Sequence, residues 1–436
     1  MLKENLKRIC PKFILVIYHS LYSYAYRKYN AIKYQSLIDQ THVHYKEVEE
    51  RIRKRGNRPL RFATYVVFDS TFCAYGLLDL MLAEPQKYSP KIVICPDVAR
   101  GEFHLKEQYK KTKEFFIRKY GSKYIVDGYD EETGAFLDVS DQFDVIYCAN
   151  PYDAMVNDVH AVKYLSKKDV LPFYMSYGCM PDNYGCKIIM PMLEISLFWK
   201  VFADNKFSFS DYKKYELCKG KNVCLSGYAK MDELVKCKIK NNTTKKRIII
   251  APHHTINNQV LPLSNFLQYS TFILELPKKY PDIEFIFRPH PLLFVNMVNE
   301  GFWTQNQVNE YIEQIQKKGM IYSVGGDYFD VFANSDAMIH DCSSFVVEYL
   351  YTGKPCCFVA KKNYKKVFSK LGKSCLKNYY IAFDKQQIID FIENVIINGN
   401  DVLKEKRTVY AKNHLAINYP NVSNKVLEEI SLGKSI

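Results

Sequence analysis

Short apolar runs alternate with longer helix-like stretches from residue 60 onward, and this alternation constrains the fold more than any other feature. The runs of a first series lie at 61–68, 91–95, 143–149 and 170–176. Those of a second series lie at 247–252, 283–289, 319–324, 336–340 and 355–360. Apolar runs of this length between helices are typical of parallel sheets covered by helices. The sequence therefore predicts an α/β protein.

A stretch rich in Lys, Asn and Thr, 236–246, separates the two series and is predicted to be a linker. It divides the chain into an N-terminal α/β domain over 58–235 and a C-terminal one, with terminal helices, over 247–436. A chain of 436 residues is long enough for two domains with separate cores. Because doubly wound sheets bind ligands at the carboxyl ends of their strands, two facing domains are expected to form a binding cleft.

The first 57 residues carry an excess of seven positive charges, half of the net charge of +14. Within them, Phe13, Ile17, Leu21 and Tyr24 recur at helical spacing beside further tyrosines. A basic, tyrosine-rich amphipathic helix suits an anionic membrane surface, and this is our prediction for 1–57. The alternative is a helix that packs on the protein itself or on a partner chain. A signal peptide and nucleic-acid binding are disfavoured, because no cleavage site and no recognised nucleic-acid module appear.

The sequence also indicates the cellular compartment. No apolar run reaches the roughly 18–20 residues of a membrane-spanning helix, and the best stretch, 188–203, is interrupted by Glu194 and Lys200. Thirteen cysteines, without C-x-x-C spacing and mostly in apolar runs, are typical of reduced thiols. We therefore expect a cytoplasmic protein without a membrane-spanning segment.

Two polar clusters follow neighbouring strands of the second series. His253 and His254 come directly after one run, and Arg288 and His290 stand among prolines after the next. A permanently charged arginine and titratable histidines suit chemistry on a phosphodiester or pyrophosphate. Metal binding by the histidines is the alternative. We predict no metal, because adjacent histidines are poorly placed to chelate one ion, although a diphosphate ligand could bring Mg²⁺ with it.

A third cluster follows the run at 336–340 and comprises four side chains: His340, Asp341, Ser343 and Ser344. One of the serines is predicted to cap a helix over about 345–351, whose N-terminus would bind a phosphate. Glu348, one turn further, is placed to reach a ribose hydroxyl. The alternative is a cap that serves only the helix.

The chain resembles the CDP-glycerol glycerophosphotransferase family, which includes teichoic-acid polymerases and related capsule enzymes. The resemblance is carried by four segments: KNVCLSGYAKMDEL at 221–234, PHHT at 252–255, FRPHP at 287–291 and SDAMIHDCSSFVVEYLYTGKPCCFV at 335–359. In that family a Gly-Tyr-x-Lys/Arg-x-Asp segment precedes the second domain, Arg-Pro-His-Pro follows a strand, and Asp-x-Ser-Ser starts a helix. The matches run in the family's order over about 170–360.

The resemblance implies a GT-B fold of two Rossmann-like domains, the first on the acceptor side and the second binding the nucleotide donor. It implies peripheral attachment to the inner face of the membrane. The implied reaction transfers a polyol phosphate, above all glycerol phosphate, from a CDP-activated donor to a hydroxyl of a cell-surface glycan or lipid-linked acceptor, with release of CMP. By position, Arg288 and His290 would contact the donor phosphates, Ser343 and Ser344 would cradle the pyrophosphate, and Glu348 would contact the ribose.

One segment departs from the family pattern. Many members have Trp-His-Gly, with a favoured catalytic base, where this chain has Ser176-Tyr177-Gly178. Either Tyr177, Asp69, Asp182 or a histidine of the second domain replaces that base, or the acceptor chemistry differs. Tyr177 and Gly178 would face the acceptor or form a simple turn. Two alternative functions stay open: a GT-B glycosyltransferase that uses a nucleotide sugar such as a CMP-sugar, and a non-catalytic glycan-assembly subunit.

Overall fold

The computed structural model describes residues 12–239, 244–325 and 328–433, with side chains from residue 25 onward. The strands of a first sheet are β1 (Leu60–Val66), β2 (Tyr88–Ile94), β3 (Ile125–Asp127), β4 (Val145–Cys148), β5 (Leu171–Met175), β6 (Lys200–Ala203) and β7 (Val223–Leu225). The strands of a second sheet are β8 (Lys246–Ala251), β9 (Ile283–Phe287), β10 (Ile321–Tyr322), β11 (Ala337–His340), β12 (Cys356–Val359) and β13 (Tyr380–Ala382).

The α-helices run in chain order as α1 (Lys12–Lys54), α2 (Tyr75–Ala83), α3 (Glu102–Tyr120), α4 (Val162–Leu165), α5 (Leu193–Leu197), α6 (Lys206–Tyr215), α7 (Phe266–Lys279), α8 (Leu293–Asn299), α9 (Gln305–Lys317), α10 (Phe329–Ala333), α11 (Phe345–Glu348), α12 (Lys370–Cys375), α13 (Lys385–Asp390), α14 (Lys404–His414) and α15 (Val422–Ile430). Three 3₁₀ segments matter below: Asp69–Thr71, Ala229–Lys236 and Tyr349–Thr352.

Both sheets are parallel and doubly wound. The first has the order β3-β2-β1-β4-β5-β6-β7, and the second has the order β10-β9-β8-β11-β12-β13. In each sheet the first strand is central, the next two strands are added on one side of it, and the later strands are added on the other side. The strand order therefore reverses between β1 and β4 and between β8 and β11. Ligands of such sheets bind beyond the carboxyl ends of the strands at this switch point. The predicted α/β architecture of two Rossmann-like units is confirmed.

Each sheet is buried on both faces, as its continuous apolar strands predict. In β1, Phe62 belongs to one core cluster and its neighbour Ala63 to the cluster on the opposite face. In β8, Ile248 and Ile249 divide in the same way between two further clusters. Successive residues of a strand point to opposite faces, so each sheet is covered by helices on both sides.

The last helix does not belong to the unit that precedes it in sequence. Helix α15 contributes Val422, Val426 and Ile430 to the core of the first sheet. Its first turn is capped by the carboxylate of Asp232, which accepts the N–H groups of Val422 at 3.2 Å and Ser423 at 2.7 Å. The sequence division placed this helix with the second domain, and hydrophobic burial places it against the first instead.

Gly227 allows the chain to cross back at this point. Its φ is +98°, and a Cβ at this position would lie 2.1 Å from the carbonyl oxygen of Ile417. The segment that leads into α15 therefore contacts the backbone of Gly227 directly. Only glycine, which has no Cβ, allows this close approach and this φ. The amide of Asn418 adds a hydrogen bond of 2.9 Å to the carbonyl of Ser226.

The described part of α1 packs mainly on the first sheet. Ile38, Tyr45, Val48 and Ile52 recur at helical spacing and are buried against it. This matches the alternative in which the helix packs on its own protein. The predicted membrane-facing side chains, Phe13 to Tyr24, lie outside the described residues. No helix in the described ranges is both long and apolar enough to cross a bilayer.

Candidate active site

The ends of β8 and β9 bring three histidines together. Beyond the strands, the N–H of His290 donates to the carbonyl oxygen of Pro252 at 3.0 Å, so the two exits remain paired. The ring centroids of His254 and His290 are 4.1 Å apart, and those of His253 and His254 are 4.4 Å apart. The shared edge of a parallel sheet thus produces the cluster that the spacing of the motifs predicts.

One local turn recurs at three strand exits and orients the rings. In each turn, the Nδ1 atom of a histidine accepts the backbone N–H two residues later: His253 from Thr255 (3.4 Å), His290 from Leu292 (3.1 Å) and His340 from Cys342 (3.1 Å). A neutral imidazole has one acceptor nitrogen and one N–H. With Nδ1 as the acceptor, the proton is assigned to Nε2, and these rings present N–H donors. The hydroxyl of Thr255, 2.8 Å from Nδ1 of His253, is then a second donor to that atom.

His254 has the same arrangement through a side chain. Its Nδ1 lies 3.0 Å from the amide nitrogen of Asn296, and that nitrogen also donates to the His254 carbonyl at 3.2 Å. Because the amide N–H is directed at Nδ1, the proton of this ring is also on Nε2.

Burial keeps the clustered rings neutral. It lowers the pKa of His254 to about 4 and the pKa of His290 to about 3. The pKa of His253 is lowered well below its usual value, first by burial and then by the neighbouring histidines. Neutral rings with a proton on Nε2 donate to anionic oxygens and have no vacant lone pair to accept a proton. They are suited to bind phosphate oxygens and poorly suited to act as bases.

The same hydrogen bonds bear on metal binding. The ligand atoms that His253, His254 and His290 can offer all lie within 4.8 Å of one another. Adjacent histidines are therefore close enough to share an ion, contrary to the geometric reason given from the sequence. A metal needs a nitrogen lone pair, however, and here each Nδ1 lone pair already accepts an N–H while Nε2 carries the proton. Metal binding would require the turns at His253 and His290 and the contact between His254 and Asn296 to rearrange.

Arg288 lies beneath the cluster and is only 8% exposed. Its guanidinium donates to the hydroxyl of Ser323 at 2.7 Å and to the carbonyl of Gly325 at 2.9 Å. It also lies 5.6 Å from the centre of the Tyr328 ring. Arg288 thus brings a buried positive charge to the strand edge and holds the loop that follows β10.

Asp341 and His340 lie at the end of β11 and hydrogen-bond to the backbone around it. The carboxylate of Asp341 accepts the backbone N–H of His253 at 2.6 Å and the side-chain amide of Asn265 at 3.2 Å. Burial raises its pKa to about 6. His340 is 2% exposed, and burial lowers its pKa to about 3. The motif predicts both as donor-binding residues. In the structure Asp341 holds the backbone of His253, whereas His340 accepts the N–H of Cys342 in its own turn.

The serine motif differs from its predicted geometry. Helix α11 is a single turn that continues as the 3₁₀ segment Tyr349–Thr352, and neither serine caps it through a side chain. The hydroxyl of Ser343 instead donates to Asp182 of the first domain. The predicted serine cap is therefore wrong, because a buried carboxylate across the cleft competes for the hydroxyl. Ser344, the residue before α11, is partly exposed.

Glu348 is also placed differently from the prediction. It is fully buried, and its carboxylate accepts the hydroxyls of Tyr228 at 2.6 Å and of Tyr328. Contact with a ribose would require at least one of these bonds to break. In this structure Glu348 joins the two domains through their tyrosines.

The acceptor side lies across the cleft on the first sheet. Tyr177 is partly buried, and burial raises the pKa of its hydroxyl. Tyr177 therefore keeps its proton near neutral pH, which disfavours it as a base. Gly178 borders open space, since a Cβ there would meet no atom within 4 Å. Asp69 begins the 3₁₀ segment after β1, at the switch point of the first sheet.

Two residues that sequence reasoning did not select complete this region. Lys230 is 9% exposed, and its ammonium donates to the carbonyl of Tyr177 at 2.9 Å. The same ammonium lies 4.8 Å from the centre of the Tyr328 ring. The available signal for Lys230 was its place in the GYAKMD segment. Tyr328 had no signal, because only the folded chain brings it to the cleft.

Two doubly wound parallel sheets, with histidine N–H groups at the strand exits of the second, define a protein of the GT-B architecture. The chain belongs to the CDP-glycerol:poly(glycerophosphate) glycerophosphotransferase family, whose model matches residues 193–432. It is accordingly a transferase of polyol phosphate from a CDP-activated donor. None of the proteins with curated annotation is significantly similar in sequence.

Solved structures support the same fold. Wall teichoic acid polymerase TagF, as a variant soaked with CDPG, gives a TM-score of 0.55 at 12% identity, covering 94% of this chain and 98% of that chain. UDP-GlcNAc 2-epimerase from Neisseria meningitidis, bound to UDP-GlcNAc, gives 0.53 at 14% identity, covering 86% and 100%. A putative UDP-N-acetylglucosamine 2-epimerase from Listeria monocytogenes gives 0.51 at 12% identity, covering 85% and 95%. At these identities the likeness establishes the fold alone.

Proposed function

We propose that this enzyme transfers glycerol phosphate from CDP-glycerol to a hydroxyl of a cell-surface glycan or lipid-linked acceptor and releases CMP. The observation that carries the proposal is the cluster of neutral histidine N–H donors at the switch point of the second sheet, in a member of this family. A wall teichoic acid polymerase of the same fold was solved after a soak with CDPG.

The histidines would act on the donor diphosphate. The Nε2–H groups of His253, His254 and His290 would donate to the non-bridging oxygens, and the buried charge of Arg288 would strengthen the local positive potential. The acceptor oxygen would attack the β-phosphorus in line as the bond to the bridging oxygen breaks, and CMP would leave with that oxygen and its electron pair. Negative charge grows on the oxygens during this step, so preorganised donors stabilise the transition state more than the ground state.

In this mechanism the histidines bind phosphate, and another group accepts the proton of the attacking hydroxyl. Their low pKa values favour donors that are uncharged in the free enzyme. A bound diphosphate would raise those pKa values, because a nearby negative charge favours the protonated ring. Divalent ions such as Mg²⁺ would then be optional, since the donor oxygens already have protein partners.

The direct test is CMP release by the purified enzyme with a crude lipid-linked glycan fraction as acceptor. CDP-glycerol, CDP-ribitol, CMP-sugars and UDP-sugars are supplied separately. We expect CMP from CDP-glycerol, and a lower rate from CDP-ribitol. Release from a nucleotide sugar alone would contradict the proposal and favour a glycosyltransferase. Binding of a donor without any turnover would favour a non-catalytic subunit.

We also propose that the N-terminal segment attaches the enzyme to an anionic membrane surface at the inner face of the cell membrane. In support, half of the net positive charge lies in residues 1–57, and Tyr29 and Ile32 of α1 are 61% and 80% exposed. The test is co-sedimentation with vesicles that contain anionic lipid. Binding should fall as salt rises and should be absent with neutral vesicles. Equal binding to both vesicle types would contradict the proposal.

A further inference from the structure

A cavity at the switch point of the first sheet contains a carboxylate and an ammonium group, neither of which the histidine cluster has. It is lined by Asp69, Ser70, Lys230 and Tyr328, together with aromatic side chains. Asp69 and Ser70 follow β1, whereas Tyr328 belongs to the second domain. The cavity therefore lies between the domains, at the edge of the first sheet where doubly wound folds bind ligands.

The cavity contains a buried positive charge. Lys230 makes one hydrogen bond to the described residues, to the carbonyl of Tyr177. An ammonium group has three N–H donors. In the described part of the chain the other two have no hydrogen-bond acceptor, and burying such a group without a partner is costly. This arrangement suits an anionic ligand in the cavity.

The carboxylate of Asp69 lines the same cavity. Within the described ranges, it forms no side-chain hydrogen bond or ion pair. The other candidate bases of the first domain, Asp182 and Tyr177, are less suited to accept a proton. Both carboxylate oxygens of Asp182 accept hydrogen bonds, from the backbone of Gly185 and from Ser343. The Tyr177 hydroxyl keeps its proton near neutral pH, because burial raises its pKa.

Tyr328 connects this cavity to the donor side. Its ring centre lies 4.8 Å from the ammonium of Lys230 and 5.6 Å from the guanidinium carbon of Arg288. Two buried cations therefore flank one ring, the first in the cavity and the second at the exit of β9. The Tyr328 ring therefore links the pocket at Asp69 and Lys230 to the exit of β9.

We propose that this cavity is the acceptor subsite, in which Asp69 is the general base for the attacking hydroxyl and Lys230 binds an anionic phosphate of the acceptor. The inference rests on the proposed function. The acceptor oxygen forms a bond to the β-phosphorus, its proton passes to the Asp69 carboxylate, and the bond from the β-phosphorus to the bridging oxygen breaks. CMP leaves with that electron pair, and Asp69 then returns its proton to water.

The first test compares Asp69→Asn with wild type in CMP release from CDP-glycerol. We expect kcat to fall by roughly 10²–10⁴-fold, the usual contribution of a general base. CDP-glycerol affinity, measured by calorimetry, should stay within about twofold, because Asp69 lies outside the histidine cluster. Asp69→Glu should recover part of the rate, since it restores a carboxylate. The control is Asp141→Asn, an exposed aspartate in a 3₁₀ turn at the opposite edge of the same sheet.

The second test separates the roles of the two charged groups. Lys230→Met should raise the KM for a glycerol phosphate oligomer roughly 10–100-fold, the range for a lost charged hydrogen bond. The KM for glycerol, which has no phosphate, should change little. Lys230→Arg should restore most of the preference for the anionic acceptor. An equal effect of Lys230→Met on both acceptors would indicate a purely structural role and overturn the anion assignment.

The outcomes distinguish this inference from the proposed function. Wild-type turnover of CDP-glycerol with a normal rate in Asp69→Asn would overturn the acceptor subsite and leave the proposed function intact. Absence of CMP release by the wild-type enzyme from every CDP-polyol would overturn the proposed function and this subsite with it.

Discussion

The two switch points of this molecule are built in different ways. At the second sheet, His253 and His290 are oriented by turns that span two residues, and only His254 depends on a distant side chain for its ring orientation, so the donor side follows mainly from short motifs. At the first sheet, Lys230 reaches Tyr177, Tyr328 arrives from the other domain, and α15 returns from the C-terminus. Local motifs can be recognised in a sequence, whereas a site that depends on distant segments becomes visible only after folding.

The strongest test of the donor side is His290→Ala. Removing one preorganised donor to a transition-state oxygen usually lowers kcat by about 10²–10³-fold. We expect a loss of this size in CMP release with little change in Tm, because the ring lies at a strand exit. His414→Ala is the control, since His414 is exposed at the end of α14. A rate within about threefold of wild type would remove His290 from the mechanism.

The long-range construction of the acceptor side is tested by Gly227→Ala. Positive φ alone costs about 1–3 kcal/mol for a residue other than glycine, and the clash with the Ile417 carbonyl adds to this cost. A protein of this size loses roughly 2–4 °C of Tm per kcal/mol, so we expect a decrease of several degrees by calorimetry. Gly178→Ala is the matched control and should leave Tm unchanged, because its Cβ would meet no atom. Equal Tm values for the two variants would show that the segment at Ile417 does not pack closely against Gly227.

The neutral histidines predict a pH dependence of stability. The folded-state pKa of His254, about 4, lies below its ordinary value of about 6.5, so the unfolded chain binds more protons between these values. The stabilisation is complete above pH 6.5 and is lost as pH falls toward 4. His254→Gln should therefore lose less Tm than wild type between pH 7 and pH 5. A constant Tm difference between the two proteins over this range would show that His254 titrates normally.

The smallest effect is expected at the contact between the two regions. Ser343→Ala removes the hydrogen bond to Asp182, which should cost roughly 0.5–1.5 kcal/mol of unfolding free energy. Donor affinity should change less than about threefold, because the hydroxyl faces Asp182. Ser344→Ala is the comparison, since that serine makes no side-chain cap. A large loss of donor affinity in Ser343→Ala would instead support the sequence-based prediction that Ser343 binds the pyrophosphate.

Much of the fold could be predicted because its strands are buried on both faces and read as continuous apolar runs. The predicted runs omit β3, β7 and β13, since strands of three mostly half-buried residues give no such run, and they also omit β6. The histidine cluster was predictable from motifs at neighbouring strand ends. The engagement of Glu348 by two tyrosines was not, because residues more than a hundred positions apart and in different domains take part.

The return of α15 to the first sheet has a consequence for biosynthesis. A ribosome produces all strands of the first sheet well before it reaches Val422. Part of the apolar core of that sheet stays uncovered until α15 has been synthesised through Ile430. Domains usually fold in the order in which they are made. Here the first unit has to wait, with an apolar face exposed, while nearly two hundred further residues are synthesised. Early termination anywhere after the linker would leave that face uncovered and prone to aggregation.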